Sequence, residues 1–438
     1  MVQGKVCIHG GAQVVVAPRG ASVVNSKVSK WSRTIFIPRF CPWPDCPAHR
    51  GSAREPHNLR TTMYNRTKAA PEPSESRGHD AAVDPMIRKP VPPSLFTTLK
   101  GRCFVHPLLD YMLIGGGLSL IVTAVVVLSP MRPELLAGGT MAWIVLFSNG
   151  AHFAASTVRL YTKPGAARSM PFLSKVVPPI AIILMTLCVT YAGRVGGILD
   201  TLYLTWSPYH YAAQAYGLAV MYSYRSGCSL EPADKKLLRW VCMIPLFYMA
   251  GHILDSRLPV PIGDLFPAIA RVLPSLKTAL VALGVVAPFL LFIKVWRARS
   301  GPMPLISLLT VLSNAIWFFV LDPLSAFLWA TVFHGLQYLA IVIIFDVKDR
   351  MALPGNTHGR LFHTLWFYGM CLGLGCVLFI LLPKAYSAMG FDYFDGRLVS
   401  VAVINIHHFI VDAYIWRLGK GDTNRKIEIG RASCRERV

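Results

Sequence analysis

Apolar residues in this chain fall into long runs, broken by short polar segments that are mostly basic. Ten runs are long enough, or nearly so, to cross a hydrocarbon core of about 30 Å at 1.5 Å per residue. They cover approximately 109–129, 134–155, 173–192, 197–223, 238–255, 273–296, 303–321, 324–345, 361–382 and 398–417. The pattern predicts an all-α, polytopic integral membrane helix bundle of about ten transmembrane helices.

Charge orders those helices. The linkers carrying Arg159, Lys163 and Arg168, then Arg225, Lys235 and Lys236, then Arg297 and Arg299, then Lys348, Arg350 and Arg360 are all basic. The alternate linkers are poorer in Lys and Arg, apart from 256–272 with Arg257 and Arg271. An excess of Lys and Arg marks cytoplasmic loops, so both termini are expected in the cytoplasm. Segment 256–272 has an amphipathic look and either lies at the outer interface or packs as an ordinary loop. Tyr386, Phe391, Tyr393 and Phe394 in 383–397 are expected at an outer aromatic belt.

Three regions are expected. Residues 1–100 hold 15 Lys and Arg against 6 Asp and Glu, with many Pro, Ser and Gly and no sustained periodicity. They read as a basic, disordered cytoplasmic region or an over-extended gene start. Cys41, Cys46, His49 and His57 lack a second knuckle, so a zinc site there is disfavoured. Residues 101–420 form the transmembrane domain, and 421–438 a tail. Within the tail, 428–438 (EIGRASCRERV) resembles a translated sequencing adapter, and Cys434 is left out of the functional argument.

Composition agrees with the pattern. Only 15% of the 438 residues are charged, and mean hydropathy is +0.46; soluble domains hold about 25% charged residues. The formal charge of +22 belongs to topology, because no aromatic-and-basic interleaving accompanies it; no nucleic-acid partner is expected. The ten cysteines are scattered, several inside apolar runs, and form no disulfide framework. Membrane lipids are the expected surroundings, and a bacterial inner membrane the expected location.

Candidate chemistry lies inside the apolar runs. The run Val401–Arg417 carries Asn405, His407, His408 and Asp412, and ionisable groups in hydrocarbon persist where they face a bundle interior with a partner. Asn405, His408 and Asp412 share one helix face, while His407 points about 100° away. His152, His210 and His334 stand at comparable depth in the second, fourth and eighth runs. Four imidazoles on helices running in the same sense are expected to meet as metal ligands: His152, His210, His334 and His408.

Neighbours at helical spacing extend the set. Gln214 follows His210 by four residues, Gln337 follows His334 by three, and Asp412 follows His408 by four. Each is expected to orient an imidazole or add a ligand, and His407 to be an extra ligand or support. Asp412, Gln214, Gln337 and His407 are therefore the candidate catalytic groups. His106 and Asp110 form a similar pair at the start of the first run. The competing reading of Asp412 is a solvated carboxylate paired with Arg417. Gly150, Gly217 and Gly335 are expected to admit a close neighbour, and Pro208 to bend its helix. Phe153, Trp206, Tyr209, Tyr211, Tyr216, Phe333, Tyr338, Phe409 and Trp416 either line an apolar pocket or pack the bundle. Arg159 and Arg225 either meet an anionic lipid headgroup or anchor their helices.

Imidazoles with a carboxylate suit iron, zinc, copper or manganese. An apolar surround favours iron acting as an oxygenase or hydroxylase on a lipid-like substrate, with an electron donor as a further partner. The alternatives are a haem-binding electron carrier using a quinone and a proton or metal-ion transporter. The arrangement resembles integral-membrane iron oxygenases with histidine ligands on the helices themselves, such as bacterial carotene-cleaving dioxygenases. That likeness is architectural and carries over no residue role. Membrane desaturases and hydroxylases, with several HxxxH and HxxHH boxes, are less similar: this chain has one adjacent pair, His407–His408.

Overall fold

The computed structural model describes residues 95–129, 139–257, 267–298 and 301–415. The expectations for residues 1–94, for the 428–438 tail, for most of 256–266, and for Arg417 and Trp416 fall outside the described residues. Everything described belongs to one compact unit, Met86–Val438, whose regular elements are all helical, with no strand among the described residues.

The helices follow the apolar runs. They are α1 (Leu95–Lys100), α2 (Pro107–Leu109), α3 (Gly117–Leu128), α4 (Gly139–Val145), α5 (Ala151–Thr162), α6 (Ala166–Ser169), α7 (Val177–Thr190) and α8 (Ala192–Arg225). They continue as α9 (Pro232–Arg257), α10 (Pro267–Arg297), α11 (Leu305–Val320), α12 (Pro323–Met351), α13 (Arg360–Cys376), α14 (Leu382–Ala388) and α15 (Tyr393–Ile415). Wide π-type turns at Asp110–Ile114, Leu146–Gly150, Phe172–Val176 and Val377–Leu381 join adjacent helices.

Five of these helical stretches are long and apolar enough to cross a membrane: Phe172–Thr190, Arg271–Arg297, Pro323–Met351, Arg360–Ala388 and Tyr393–Ile415. A sixth is reached if Pro107–Ile114 and Gly117–Leu128, bent by 51°, count as one span. The long helix α8 falls outside this group because Asp200, Ser207, His210 and Gln214 interrupt its apolar sequence. The helix α11 is apolar but short, with 16 residues.

Burial separates inner from outer helices. In α12 and α15 the most apolar windows are 67% and 61% buried, against 22% in Arg271–Arg297 and 17% in Arg360–Ala388. The outer helices present Ile183 and Leu187, Val272 and Leu290, and Leu365 and Trp366 outward. Such faces suit lipid, which needs no polar cover. The helix α8 packs against α9, α11 and α15, while α5 packs against α12, α13 and α15. The helices α5, α8, α12 and α15, which carry His152, His210, His334 and His408, therefore lie at the centre.

Small residues permit the closest crossings. At Gly116, with φ of +80°, a Cβ would lie 2.2 Å from Ser313 Oγ, so α11 closes directly over the bend after the first π turn. At Gly375 a Cβ would lie 2.7 Å from the Gly150 carbonyl oxygen, which brings α13 onto the turn that leads into α5. Gly335 approaches the Ser148 carbonyl of the same turn from α12. Gly217 has open space around its Cβ position, unlike the expectation of a close neighbour.

The entry segment is tied by a buried carboxylate. Asp110 Oδ2 accepts from the Phe104 amide and from the Tyr222 hydroxyl at 2.8 Å; Oδ1 accepts from the Val105 and His106 amides at 3.2 and 3.3 Å. The His106 imidazole instead caps α2, its Nδ1 accepting from the Leu108 amide at 3.2 Å. The expected His106–Asp110 side-chain pair is thus replaced by backbone contacts, because the chain before α2 is extended and offers its amides to the carboxylate. Arg225 donates to the Cys103 carbonyl at 3.0 Å and lies 4.4 Å above the Phe104 ring. Tyr386, expected at an outer aromatic belt, is instead buried and hydrogen-bonded to Thr186 at 3.0 Å, whereas Phe394 is 72% exposed.

A candidate metal centre between four helices

Each of the four central helices delivers one imidazole to a common point. His152 opens α5 immediately after the Leu146–Gly150 π turn, which Gly335 and Gly375 grip from two sides. Wide turns of this kind recur at functional sites because they re-aim the side chains that follow. His210 sits in the middle of α8, two residues after Pro208. His334 is midway along α12, and His408 lies in the later half of α15.

The rings touch. The His152 centroid lies 4.4 Å from that of His408, 4.9 Å from His334 and 6.3 Å from His210. His210 lies 4.9 Å from His334 and 5.1 Å from His408. Two overlapping sets of three bring one donor atom per residue within 4.8 Å of the others: His152, His210 and His334, and His210, His408 and Asp412. Two nitrogens on one ion at about 2.0–2.1 Å stand at most about 4.2 Å apart, so small side-chain rotations close either set. His210 is common to both.

The hydrogen-bond pattern has a direction. Ser156, one turn after His152, places Oγ 3.0 Å from His408 Nδ1. That contact turns His408 Nε2 inward. Nε2 of His408, His210 and His334, together with both nitrogens of His152, are buried without a hydrogen-bond partner among the described residues. Leaving a buried polar atom unpaired costs about 1–3 kcal/mol. Five such atoms at one place are costly, and neutral imidazole nitrogens are good donors to a transition ion.

Asp412 is buried, and Oδ2 lies 3.5 Å from His408 Nε2 and 3.8 Å from His210 Nε2. Its other oxygen accepts a hydrogen bond from the Tyr338 hydroxyl. The solvated-carboxylate reading of Asp412 fails on this burial. Tyr338 also packs edge-on to His152, with centroids 4.5 Å apart.

The glutamines behave differently from the expectation. Gln214 Nε2 donates to the His334 carbonyl at 3.3 Å and to Gln337 Oε1 at 3.4 Å, and its Oε1 has no hydrogen-bond partner among the described residues. Gln337 Nε2 donates to the Ile114 carbonyl at 3.0 Å and to Ser313 Oγ at 3.5 Å. Neither donates to an imidazole; Gln214 ties α8 to α12, and Gln337 reaches from α12 to the turn before α3 and to Ser313 on α11. His407 is half-buried and belongs to neither set of three, as its 100° offset from His408 requires.

Aromatic rings enclose the centre. Phe409 lies 4.5 Å from His210, Tyr211 4.4 Å from His334, and Phe153 5.0 Å from His152. Trp206 backs Phe409 at 5.8 Å, and Phe333 stacks on Trp317 at 5.1 Å. Tyr216 turns away to meet Arg239 at 5.3 Å. Tyr211 is fixed by a 2.7 Å hydrogen bond to Thr331. Phe153, Tyr211 and Phe409 pack directly on the imidazoles.

Ser156 was not legible as a partner of His408, because the contact spans 252 residues. Its only local signal is that it lies four residues after His152, on the same helix face. Tyr338 similarly follows His334 by four residues and read only as one aromatic among several. Comparisons of the chain with protein families, with curated proteins and with solved structures return no match.

Proposed function

We propose that the chain is a ten-span membrane metalloenzyme with both termini in the cytoplasm, most simply an iron-dependent oxygenase or hydroxylase acting on an apolar, lipid-like substrate. The observation that carries the reading is the set of unpaired, inward-facing imidazole nitrogens on His152, His210, His334 and His408. Alternating basic linkers support the ten-span topology, and they fit a bacterial inner membrane.

Three or four neutral imidazoles with one carboxylate match the donor preference of iron, with zinc and copper as competitors. Contact between the rings suits a bare ion better than a porphyrin, which would have to part them. An iron ion would supply oxygen activation. The protein's own groups do the rest. Ser156 fixes the His408 ring, and Tyr338 holds the Asp412 carboxylate beside His408 and His210. Phe153, Tyr211 and Phe409 keep water away from the imidazoles and offer apolar surface to a hydrocarbon substrate. A separate protein or small molecule would donate electrons.

Elemental analysis of the purified protein and of H334A is the test. The expected result is one transition metal, mainly iron, per chain and a sharp loss in the variant with membrane insertion intact. Unchanged metal content would remove His334 from the ligand set, and a strong Soret absorption band would replace the reading with haem.

A further inference from the structure

Two cations converge on one aromatic ring where α8 and α12 end, far from the imidazoles. On the side of the basic linkers, Arg159 and Lys163 pair with Asp349, Lys294 with Asp234 and Arg350 with Asp346. Arg225 closes α8 and Lys348 lies in the last turn of α12. Neither of these two forms an ion pair among the described residues. Both approach Phe104: the Arg225 guanidinium carbon stands 4.4 Å from the ring centroid and the Lys348 ammonium 4.9 Å. Lys348 also lies 5.9 Å from the Phe345 ring, which meets Phe104 edge-on.

The nearby carboxylate is fully engaged elsewhere. The charges acting on Lys348 come from Arg225 and Asp110. Each carboxylate oxygen has two lone pairs, and four donors fill those of Asp110: the amides of Phe104, Val105 and His106 and the Tyr222 hydroxyl. Arg225 uses Nε and Nη2 on the Cys103 carbonyl, at 3.2 and 3.0 Å, which fixes the guanidinium over the ring without neutralising it. The Phe104 face attracts both cations but supplies no counter-charge. Two positive charges thus meet one carboxylate whose acceptor sites are taken, and the place is net positive. A planar guanidinium held from behind is oriented to meet an oxyanion in front.

Depth identifies what carries that oxyanion. Arg225 follows His210 by fifteen residues and Lys348 follows His334 by fourteen. At 1.5 Å per residue both cations stand about 21–22 Å from the imidazoles, at one level. Lipid headgroups occupy about 15–22 Å from the middle of a bilayer, and the apolar runs put the histidines at mid-depth or on the basic-linker side of it. The pair therefore reaches the level of lipid phosphates, where basic places between helices recognise acidic headgroups. The chain that leaves Phe104 turns into the first apolar run and exposes Val105, Leu108 and Leu109 beside the pair. We propose that Arg225 and Lys348 bind the phosphate group of an acidic membrane lipid, whose acyl chains lie along Val105, Leu108 and Leu109. This assignment is independent of the metal reading and has its own readout.

The experiment uses the full chain reconstituted in nanodiscs of phosphatidylcholine and phosphatidylglycerol. Native mass spectrometry after detergent exchange counts the phosphatidylglycerol retained per chain, and a titration with inorganic phosphate followed by ³¹P resonance forms the second arm. Lys348→Gln removes one charge from the pair, and Lys348→Arg keeps it. Lys236→Gln makes the same loss of charge at an exposed position of α9. One basic residue at headgroup level predicts a roughly fivefold drop in retained phosphatidylglycerol for Lys348→Gln. Retention close to wild type is expected for Lys348→Arg and Lys236→Gln, with metal content unchanged in all three. Inorganic phosphate that binds in place of the lipid and is lost in Lys348→Gln, with no preference for phosphatidylglycerol over phosphatidylcholine, would overturn the lipid source. Equal retention in wild type and Lys348→Gln, or an equal drop in Lys348→Gln and Lys236→Gln, would overturn the site itself.

Discussion

Ser156 Oγ lies 3.0 Å from His408 Nδ1, across 252 residues of sequence, and both atoms are buried. A hydroxyl engaged with Nδ1 fixes the ring and directs Nε2 to the shared centre, where it lies 3.5 Å from Asp412 Oδ2 and makes no hydrogen bond among the described residues. The residue next to an imidazole on the far side from a metal sets the tautomer and the orientation of that ligand.

Ser156→Ala is therefore expected to lower metal affinity by about 10–100-fold, the usual range for losing such a support. Competition with a chelator of known affinity measures it. Ser156→Thr should recover part of the loss by restoring the hydroxyl. An affinity unchanged in Ser156→Ala would mean that His408 is oriented by packing alone.

Metal removal should loosen the bundle. Any ligand that binds the folded state adds stability by mass action, about 2.7 kcal/mol at a hundredfold excess over Kd. Dialysis against a chelator is expected to lower the melting temperature, and Fe(II) to restore it. In a His152→Ala background the restoration should be largely absent. A melting curve indifferent to metal in the wild type would contradict the proposed centre.

Gly375→Ala tests the grip on the turn before His152. The added Cβ would come within 2.7 Å of the Gly150 carbonyl oxygen and 3.2 Å of the Ala151 amide nitrogen, both backbone atoms that cannot swing aside. Forcing apart a close helix crossing costs about 1–3 kcal/mol. Because the strain falls on the residues that lead into His152, weakened metal binding should accompany the lowered melting temperature. Gly217→Ala, with open space around it inside α8, should leave metal binding unchanged and should not lower the melting temperature.

Cys228 offers a pH-dependent test outside the membrane-spanning helices. Burial, aided by the nearby Asp234 carboxylate, pushes its thiol up to about 11 from an ordinary value near 9. The folded state thus favours the neutral thiol. Its contribution to stability is full below pH 9 and is lost as pH rises from there toward 11. Maleimide labelling of the native protein at pH 8 is expected to be slow at Cys228 and to become rapid on unfolding. Cys228→Ser should flatten the part of the stability decline that falls in that alkaline window.

Much of this protein was readable from one dimension. Long apolar runs require helices, because a helix alone satisfies every backbone group of a single segment in hydrocarbon. The cost of a histidine in such a run marked His152, His210, His334 and His408 as residues with a common reason to be there. The helical period separated His408 from His407 correctly, since a turn of 100° per residue is fixed by backbone geometry.

Tertiary structure decided the partners. Gln214 and Gln337 stand at good helical spacing from histidines, yet they bond across helices to a carbonyl of α12 and one near α3. Spacing fixes which face a residue occupies, but the length and rotamer of its side chain fix what it reaches. Ser156, Tyr338 and Gly375 carry no distinguishing local pattern, because their roles arise only where α5, α12, α13 and α15 cross. The sequence determined which side chains must hide from lipid. The packing of the helices determined which of them meet, because contacts between segments hundreds of residues apart depend on crossing geometry that no local periodicity records.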